Sequence, residues 1–483
     1  MDKKNNKNSN SLSRRDYLKT SLMGTAGLFM APTIVPSTVL GKNAPSNNIH
    51  IAQIGWGRIA TGHDLTETLR DDNVRLVAAC DVDLKRVNMA NQWAREYYAE
   101  NNRSGNYVNI ETYQDYREML SQHSDIDAVI ISTPDHAHVL PTIEAALAGK
   151  HVYLQKPHSL TVDEGRMMAN ILARMGTVFQ IGSQQRSQDM PQFKRACELV
   201  RNGRVGNLHT VKVGLPGDPA GGNPEVMPVP DNLDYDAWLG TTPYVPYTED
   251  RVHSRAGIQG RPGWLRCEQF SAGMITGWGA HHIDTAHWGM GTEYSGPVEL
   301  EAEADFPVEG LWSVHGDFKV EAKYKNGVKM LVSGEPEEFP NGVRFVGDEG
   351  WIFVQRGRGG VTDDDPDSGT VTTGPLQASD SSLLSDLGPD ALRLYGQGER
   401  HHENWIRCIR NGQVATAAPV EISHRSTSAC LISHIAMKLP RKLYWDPINE
   451  RFKNDDEANS MLSRSQRHPY KISEIPGLNT SKL

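Results

Sequence analysis

The sequence predicts an α/β chain in which a doubly wound, parallel-sheet domain is followed by an α+β domain with a large open, mostly antiparallel sheet. Three observations predict this. The strand pattern Ile49–Ile54 runs directly into the turn Gly55-Trp56-Gly57-Arg58-Ile59-Ala60, and Leu65 and Leu69 then begin a helical period, as in a βαβ unit. Further strand patterns at residues 74–81, 128–132 and 151–154 each end in polar residues after a crossover-length interval, the rhythm of a parallel sheet. From residue 298 onward, apolar and polar residues alternate in short runs joined by Asn326-Gly327 and by Gly347-Asp348-Glu349-Gly350, which signals antiparallel hairpins.

At 483 residues the chain is too long for one ordinary domain and long enough for two or three, each with its own core. The expected divisions are residues 1–44 as leader and linker, 45–178 as the parallel-sheet domain, 179–445 as the α+β domain and 446–483 as a C-terminal tail. Hydrophobic residues make up 38% and charged residues 23%, and no apolar run is long enough to span a bilayer, so no integral membrane segment is expected. The formal charge is -9; the first 44 residues carry seven Lys/Arg against two Asp, leaving 43 basic and 57 acidic side chains on the remainder. That acidic body argues against a nucleic-acid partner. Five widely spaced cysteines without a C-x-x-C pair indicate neither a zinc ribbon nor a disulfide framework.

The leader contains Ser13-Arg14-Arg15-Asp16-Tyr17-Leu18-Lys19 followed by a weakly apolar, small-residue stretch to about Val35. This resembles a twin-arginine export signal, with Tyr17 where Phe is usual. The resemblance implies a partner in the twin-arginine export machinery, removal of the signal and a periplasmic protein. Because that route carries folded proteins, it also implies a tightly held ligand.

In the first domain, Gly55 makes the tight turn of a G-x-G-x-x-G/A fingerprint, Gly57 lets the backbone approach a pyrophosphate, and Ala60 permits close helix packing. Asp81 ends the second strand about 20 residues later, where a carboxylate accepts bonds from ribose hydroxyls, favouring NAD over NADP. The third strand pattern leads into Thr133-Pro134-Asp135-His136-Ala137-His138, and the fourth ends in Gln155-Lys156-Pro157. Both loops fall at the carboxyl ends of strands, where open α/β sheets bind ligands.

The fingerprint, the T-P-x-H loop and the strand-ending K-P turn together resemble the Gfo/Idh/MocA oxidoreductase family over residues 49 to about 440. The resemblance implies a Rossmann domain, NAD(P)-dependent oxidation or reduction of a sugar, sugar acid or polyol, and a homo-oligomer that packs its open sheets face to face. It implies that Gly55, Trp56, Gly57, Arg58, Ile59, Ala60 and Asp81 hold the dinucleotide. Thr133, Pro134, His136, Gln155 and Lys156 would flank its nicotinamide end, with Lys156 catalytic. One departure is that the usual E-K-P turn has Gln155 in place of Glu, which can donate and accept hydrogen bonds but adds no charge beside Lys156.

In the second domain, Gln184 and Arg186 end a strand pattern in polar side chains suited to a hydroxylated ligand. Residues 214–262 form a long, irregular insertion whose Tyr235, Trp238, Tyr244 and Tyr247, with Trp264, either stack on carbohydrate or pin the loop to the body. The segment Gly277-Trp278-Gly279-Ala280-His281-His282-Ile283-Asp284 reads as a helix that places His281 and Asp284 on one face and turns His282 away. The family's D-x-x-x-H motif matches its His to His281, a candidate acid/base, but puts Gly277 at the Asp position. His281, His282 and Asp284 are expected on the substrate side, with Asp284 orienting the His281 imidazole. Lys156 or His281 would take the hydroxyl proton as hydride leaves carbon.

No metal is expected: His281, His282, Asp284 and His287 scatter around their helix. Asp363-Asp364-Asp365-Pro366-Asp367 lacks the spacing of a calcium loop, and His401-His402-Glu403 reads as helix capping or packing. Two other functions fit the same residues. One is a glycoside hydrolase or lyase that oxidises a ring carbon transiently, and the other is a dinucleotide-binding protein without turnover.

Overall fold

The computed structural model describes residues 48–254, 257, 260–335, 338–357, 374–395 and 398–478. The export motif and the 363–367 acidic run lie outside them.

The first sheet contains six parallel strands: β1 (Ile49–Ile54), β2 (Val74–Cys80), β3 (Glu111–Tyr113), β4 (Ala128–Ile131), β5 (His151–Leu154) and β6 (Phe179–Ile181), in the order β3-β2-β1-β4-β5-β6. This is the doubly wound Rossmann order, with the switch point between β1 and β4. Every residue of β4 and β6 is buried, as expected when helices cover both faces. The sheet extends beyond the expected boundary at 178, because Phe179 pairs with Val152 and Ile181 with Leu154. Strand β3 escaped the sequence reading because only three residues of an edge strand pair, with no alternation to register.

The second sheet has nine strands in the order β13-β12-β11-β7-β10-β9-β8-β14-β15, where β7 is Leu208–Gly214, β8 Pro297–Ala304, β9 Phe318–Tyr324, β10 Lys329–Ser333, β11 Gly342–Gly347, β12 Gly350–Val354, β13 Leu376–Ala378, β14 Leu443–Asp446 and β15 Arg451–Phe452. Its pairs are antiparallel except for β7 with β10. The Asn326-Gly327 turn joins β9 to β10, with Gly327 at φ +87, as that hairpin requires. Inner-face residues such as Val320, Ala322, Met330 and Val332 bury against helices Gly279–Met290 and Val420–Lys438. The outer face pairs Lys323 with Glu299 and Lys329 with Glu321.

Two regions pack more closely than their sequences suggest. In the 214–262 insertion, Leu233, Tyr235, Trp238 and Tyr247 form a small core with Phe270, so most of its aromatics pin the loop and only Tyr244 stands well exposed, at 68%. The segment expected as a tail from 446 is also tied down. Phe452 stacks edge-on with Trp445, the Asp163 amide donates to the Leu462 carbonyl, and Ile472 and Ile475 enter the first domain's core. These apolar anchors are too far apart in sequence to show a period.

Candidate active site

A cleft of about 320 Å³ opens at the carboxyl ends of the parallel strands, between the glycine turn, the 133–137 loop, Gln155-Lys156 and the second-domain insertion. Backbone bonds shape the glycine turn: Gly55 N–H donates to the Cys80 carbonyl and Ser132 N–H to the Ile54 carbonyl, at 2.8 and 2.9 Å. Gly55 has φ +87, and a Cβ there would stand 2.8 Å from the Ser132 backbone, so the fold itself demands this glycine. Gly57 differs. It lines the cleft, has an ordinary φ, and would meet nothing within 4 Å of an added Cβ. The space kept open there fits a phosphate approaching the backbone.

Asp81 accepts from the Trp56 amide at 2.6 Å and the Asp83 amide at 2.8 Å. Its carboxylate therefore joins the glycine turn to the following turn, and burial raises its pKa although Arg86 pulls the other way. With two lone-pair positions left, it fits a ribose diol. Arg58 and Ile59 also line the cleft. The Trp56 ring does not; it is buried edge-on against Trp93. Ala60 is fully buried at the start of a π-turn, Ala60–Asp64.

Thr133, Pro134 and His136 line the cleft. His136 donates from Nε2 to the Trp238 carbonyl at 2.7 Å and lies between the Trp238 and Phe270 rings. Burial holds it neutral, its pKa down to about 3. Through this bond the insertion is fastened over the first domain's loop. Burial holds His138 neutral, so its one N–H donates to either the Pro157 carbonyl, at 2.6 Å, or the Thr133 carbonyl, at 3.0 Å, and the ring lies between the 133–138 loop and the Lys156 turn.

Lys156 sits half-buried in the cleft wall. Burial pulls its ammonium down to about 8; the Asp135 carboxylate opposes this, and the guanidinium groups of Arg261, Arg356 and Arg58 reinforce it. Asp135 also lines the cleft, accepts from Ser271 Oγ at 2.8 Å, and is lifted by burial to about 6 against the pull of Lys156. An amine and a carboxyl poised on either side of neutrality are the arrangement proton transfer needs. The sequence reading quoted Asp135 without a role; the signal it missed was an acid one residue after the proline of a strand-end loop.

The Gln155 substitution has a structural partner. Gln155 Nε2 donates to Asp64 Oδ1 at 2.8 Å and its Oε1 accepts from the Lys156 amide at 3.3 Å. Asp64 is fully buried and held ionised: burial would raise its pKa, but the neighbouring His402 and His63 bring it well below the usual range. Glu at 155 would set two carboxylates against each other, so the amide is the side chain that fits.

The expected substrate-side residues divide sharply. His281 does not line the cleft; its Nδ1 is sealed and without a partner, and burial, with the charges of Arg356 and Lys156, keeps the ring neutral. Asp284 does not orient it. The Asp284 carboxylate is gripped by Arg186, with one contact at 2.8 Å, and by Ser426 Oγ at 2.7 Å. Arg186 is completed by Glu293 at 2.7 Å and by the Trp288 ring. Two charges on neighbouring elements in a buried site find each other first. His282 donates to Asn341 Oδ1 at 2.7 Å, and Gln184 Nε2 donates to the Tyr153 hydroxyl at 3.4 Å; neither lines the cleft. Trp238 and Trp264, read from the sequence as either carbohydrate-stacking or loop-pinning, line the cleft, and so do His253 from the insertion and Tyr470 from the C-terminal segment, which the sequence reading missed.

Comparison with known proteins agrees with this architecture. Residues 49–183 match the oxidoreductase family's NAD-binding Rossmann fold, and residues 220–358 and 381–472 match its C-terminal alpha/beta domain. An uncharacterized oxidoreductase, YrbE, of Bacillus subtilis (strain 168) is 30% identical over 182 residues, 38% of this chain and 46% of the relative. A glycosyl hydrolase family 109 protein of Shewanella pealeana is 30% identical over 167 residues, 32% of this chain and 35% of the relative. The chain thus spans less than half the length of these curated relatives. The WlbA dehydrogenase of Bordetella pertussis, solved with NADH and UDP-GlcNAcA, superposes with a TM-score of 0.54 at 17% identity, covering 83% of this chain and 99% of that one. With both of its domains matched in order, the chain belongs to the Gfo/Idh/MocA oxidoreductase family.

Proposed function

We propose that this protein is an exported, NAD-dependent oxidoreductase that transfers hydride between a tightly held cofactor and a secondary hydroxyl or ketone of a sugar, sugar acid or polyol. The observation that carries the reading is the Lys156–Asp135 pair in the wall of a cleft that also holds Gly57 and Asp81. The WlbA structure with NADH and a nucleotide sugar, and a levoglucosan dehydrogenase solved with NADH and levoglucosan, support the cofactor and the carbohydrate class.

NAD, when bound, supplies the hydride acceptor. Lys156, neutral above about pH 8, accepts the hydroxyl proton as the C–H bond breaks, and the Asp135 carboxylate stabilises the ammonium so formed. In the reverse direction the same ammonium returns the proton to the ketone oxygen. His281, held neutral and absent from the cleft lining, takes no part in this proton transfer. Gly57 and Asp81 would hold the pyrophosphate and ribose ends.

A periplasmic protein meets no free nicotinamide pool, so the cofactor is returned to its starting state by a second carbohydrate. A second reading, favoured by the family 109 relatives, is glycoside cleavage by transient oxidation, with no net redox change. Self-association through the open sheet, carried over from the family, would bring the Lys323–Glu299 and Lys329–Glu321 pairs against a second copy, and light scattering tests it.

The test is to purify the full chain with its nucleotide and follow nicotinamide absorbance against free sugars, uronic acids, polyols and aryl glycosides, with product analysis. Stoichiometric reduction by one class, absent in Lys156→Ala, is expected. Release of aglycone without net reduction would move the protein to the second reading. A chain that neither carries nor takes up dinucleotide would defeat both.

A further inference from the structure

Outside the cleft, one cluster has ligand chemistry that neither reading uses. The π-turn Ala60–Asp64 delivers His63 and Asp64, and the start of the helix His401–Asn411 delivers His402. π-turns of this kind recur at functional sites. Asp64 Oδ1 stands 3.1 Å from His63 Nδ1 and 3.6 Å from His402 Nε2, and donor atoms of the three residues all lie within 4.8 Å of one another.

A second observation points to a ligand. His402 is 1% exposed, and both its ring nitrogens lack a hydrogen-bond partner. A neutral imidazole carries one N–H and one lone pair, so packing alone leaves a stranded donor and a stranded acceptor in a sealed site. The 3.6 Å contact to Asp64 is too long for a hydrogen bond, but it suits two ligands of one ion. With metal–ligand bonds of about 2.0–2.1 Å, tetrahedral donor atoms stand about 3.3–3.5 Å apart.

The ring is already aimed. His402 stacks on Tyr153 at 4.3 Å between centroids, and Asp64 is held by Ser132 Oγ and Gln155 Nε2, each at 2.8 Å. Such outer-shell support is what ordered metal ligands have. The His63 side chain is 35% exposed, which gives an ion an entry path. Neighbouring His401 is separately engaged, its Nε2 donating to the Ile181 carbonyl at 2.7 Å.

We propose that His63, Asp64 and His402 bind one divalent transition-metal ion, with two imidazoles and a carboxylate as ligands and zinc as the best-fitting metal. Two nitrogens and one oxygen without a thiolate, with a fourth position left for water, are a familiar zinc set. The ion fixes Asp64, Asp64 holds Gln155, and Gln155 accepts from the Lys156 amide, so the metal braces the turn that presents Lys156. The sequence reading, which expected no metal and assigned His402 to helix capping or packing, could not see a site whose ligands come from opposite ends of the chain.

The test uses the full-length protein as purified, dialysed against a chelator and then given zinc sulfate alone, with bound metal counted after desalting and affinity measured by calorimetry. One zinc per chain is expected, and cobalt(II) in its place should show the visible bands of four-coordination. His402→Phe, which keeps the Tyr153 stack, should weaken binding by more than about 100-fold, beyond what outer-shell changes cost, while leaving bound nucleotide and a cooperative melt. His63→Gln, on the half-exposed side, makes the same check if a buried variant fails to fold. Absence of stoichiometric zinc, or equal binding by wild type, His402→Phe and His63→Gln, overturns the proposal. Because metal is counted directly, either result stands apart from any result on turnover.

Discussion

The strand-end wall of the cleft and the surroundings of the buried helix Gly279–Met290 both gather carboxylates, cations and histidines, yet they do opposite things with them. In the wall, Lys156 and Asp135 feel each other's charge without a direct ion pair between them, so burial pushes each toward neutrality. On the helix, Asp284 is saturated by Arg186 and Ser426, and Arg186 in turn by Glu293. A buried charge with all its partners serves structure, while one left short of partners sits near its titration point and can exchange a proton. Residue type alone does not distinguish the two cases.

The largest effect expected on the wall is from Lys156→Ala. Removing the proton acceptor should lower kcat by about 10²–10⁴-fold with an unchanged melting curve and retained nucleotide, measured by steady-state rates beside calorimetry. A variant within fivefold of wild type would take the base role from Lys156. On the helix, Asp284→Ala should do the reverse. It leaves the buried Arg186 guanidinium with Glu293 as its one carboxylate partner and should cost about 3 kcal/mol of stability, read by chemical denaturation, whereas a folded variant losing only turnover would show that Asp284 faces substrate.

The intermediate effect sharpens the contrast through pH. Lys156 must be neutral to accept a proton, so the oxidation rate should rise with pH through about 8 and level off above it. The Asp135 carboxylate favours the ammonium; in Asp135→Asn the Lys156 pKa falls, and the midpoint should move to lower pH by about one unit. A midpoint that stays or moves upward would separate the two groups functionally. Gly57→Ala, at a position where the fold leaves open space, should weaken dinucleotide binding by about tenfold at unchanged stability, checked by calorimetric titration with NAD.

Much of the wall was legible because its residues lie at the ends of strand patterns: Gly55, Gly57, Asp81, Thr133 and Lys156 are short-range signals in which turn, strand end and side chain coincide. The strand–glycine turn–helix opening of the first domain and the Asn326-Gly327 hairpin were legible for the same local reason. What long-range pairing decides was not legible. Helical spacing placed His281 and Asp284 on one face, but it could not show that Arg186, from another element, would reach Asp284 first. Nor could it show that Asp64 supplies the carboxylate matching Gln155, or that Trp238 and Tyr470 fold back over the cleft.

The smallest expected effect concerns Gly277, where the family carries an acid. Its φ is ordinary, and an added Cβ would meet only the Met274 thioether, at 3.6 Å, so the backbone does not require glycine. Position 277 ends the short helix Met274–Gly277 and precedes His281 by four residues across the Trp278 junction, within reach of a carboxylate side chain, and His281 Nδ1 has no partner. Gly277→Asp should therefore leave stability within about 0.5 kcal/mol while giving that nitrogen an acceptor. The proton then settles on Nδ1 and leaves Nε2 as an acceptor, a change visible in the imidazole nitrogen resonances, with turnover altered only a few-fold. If the resonances do not move, the carboxylate has turned elsewhere, and the glycine matters for the room it leaves and not for the charge it lacks.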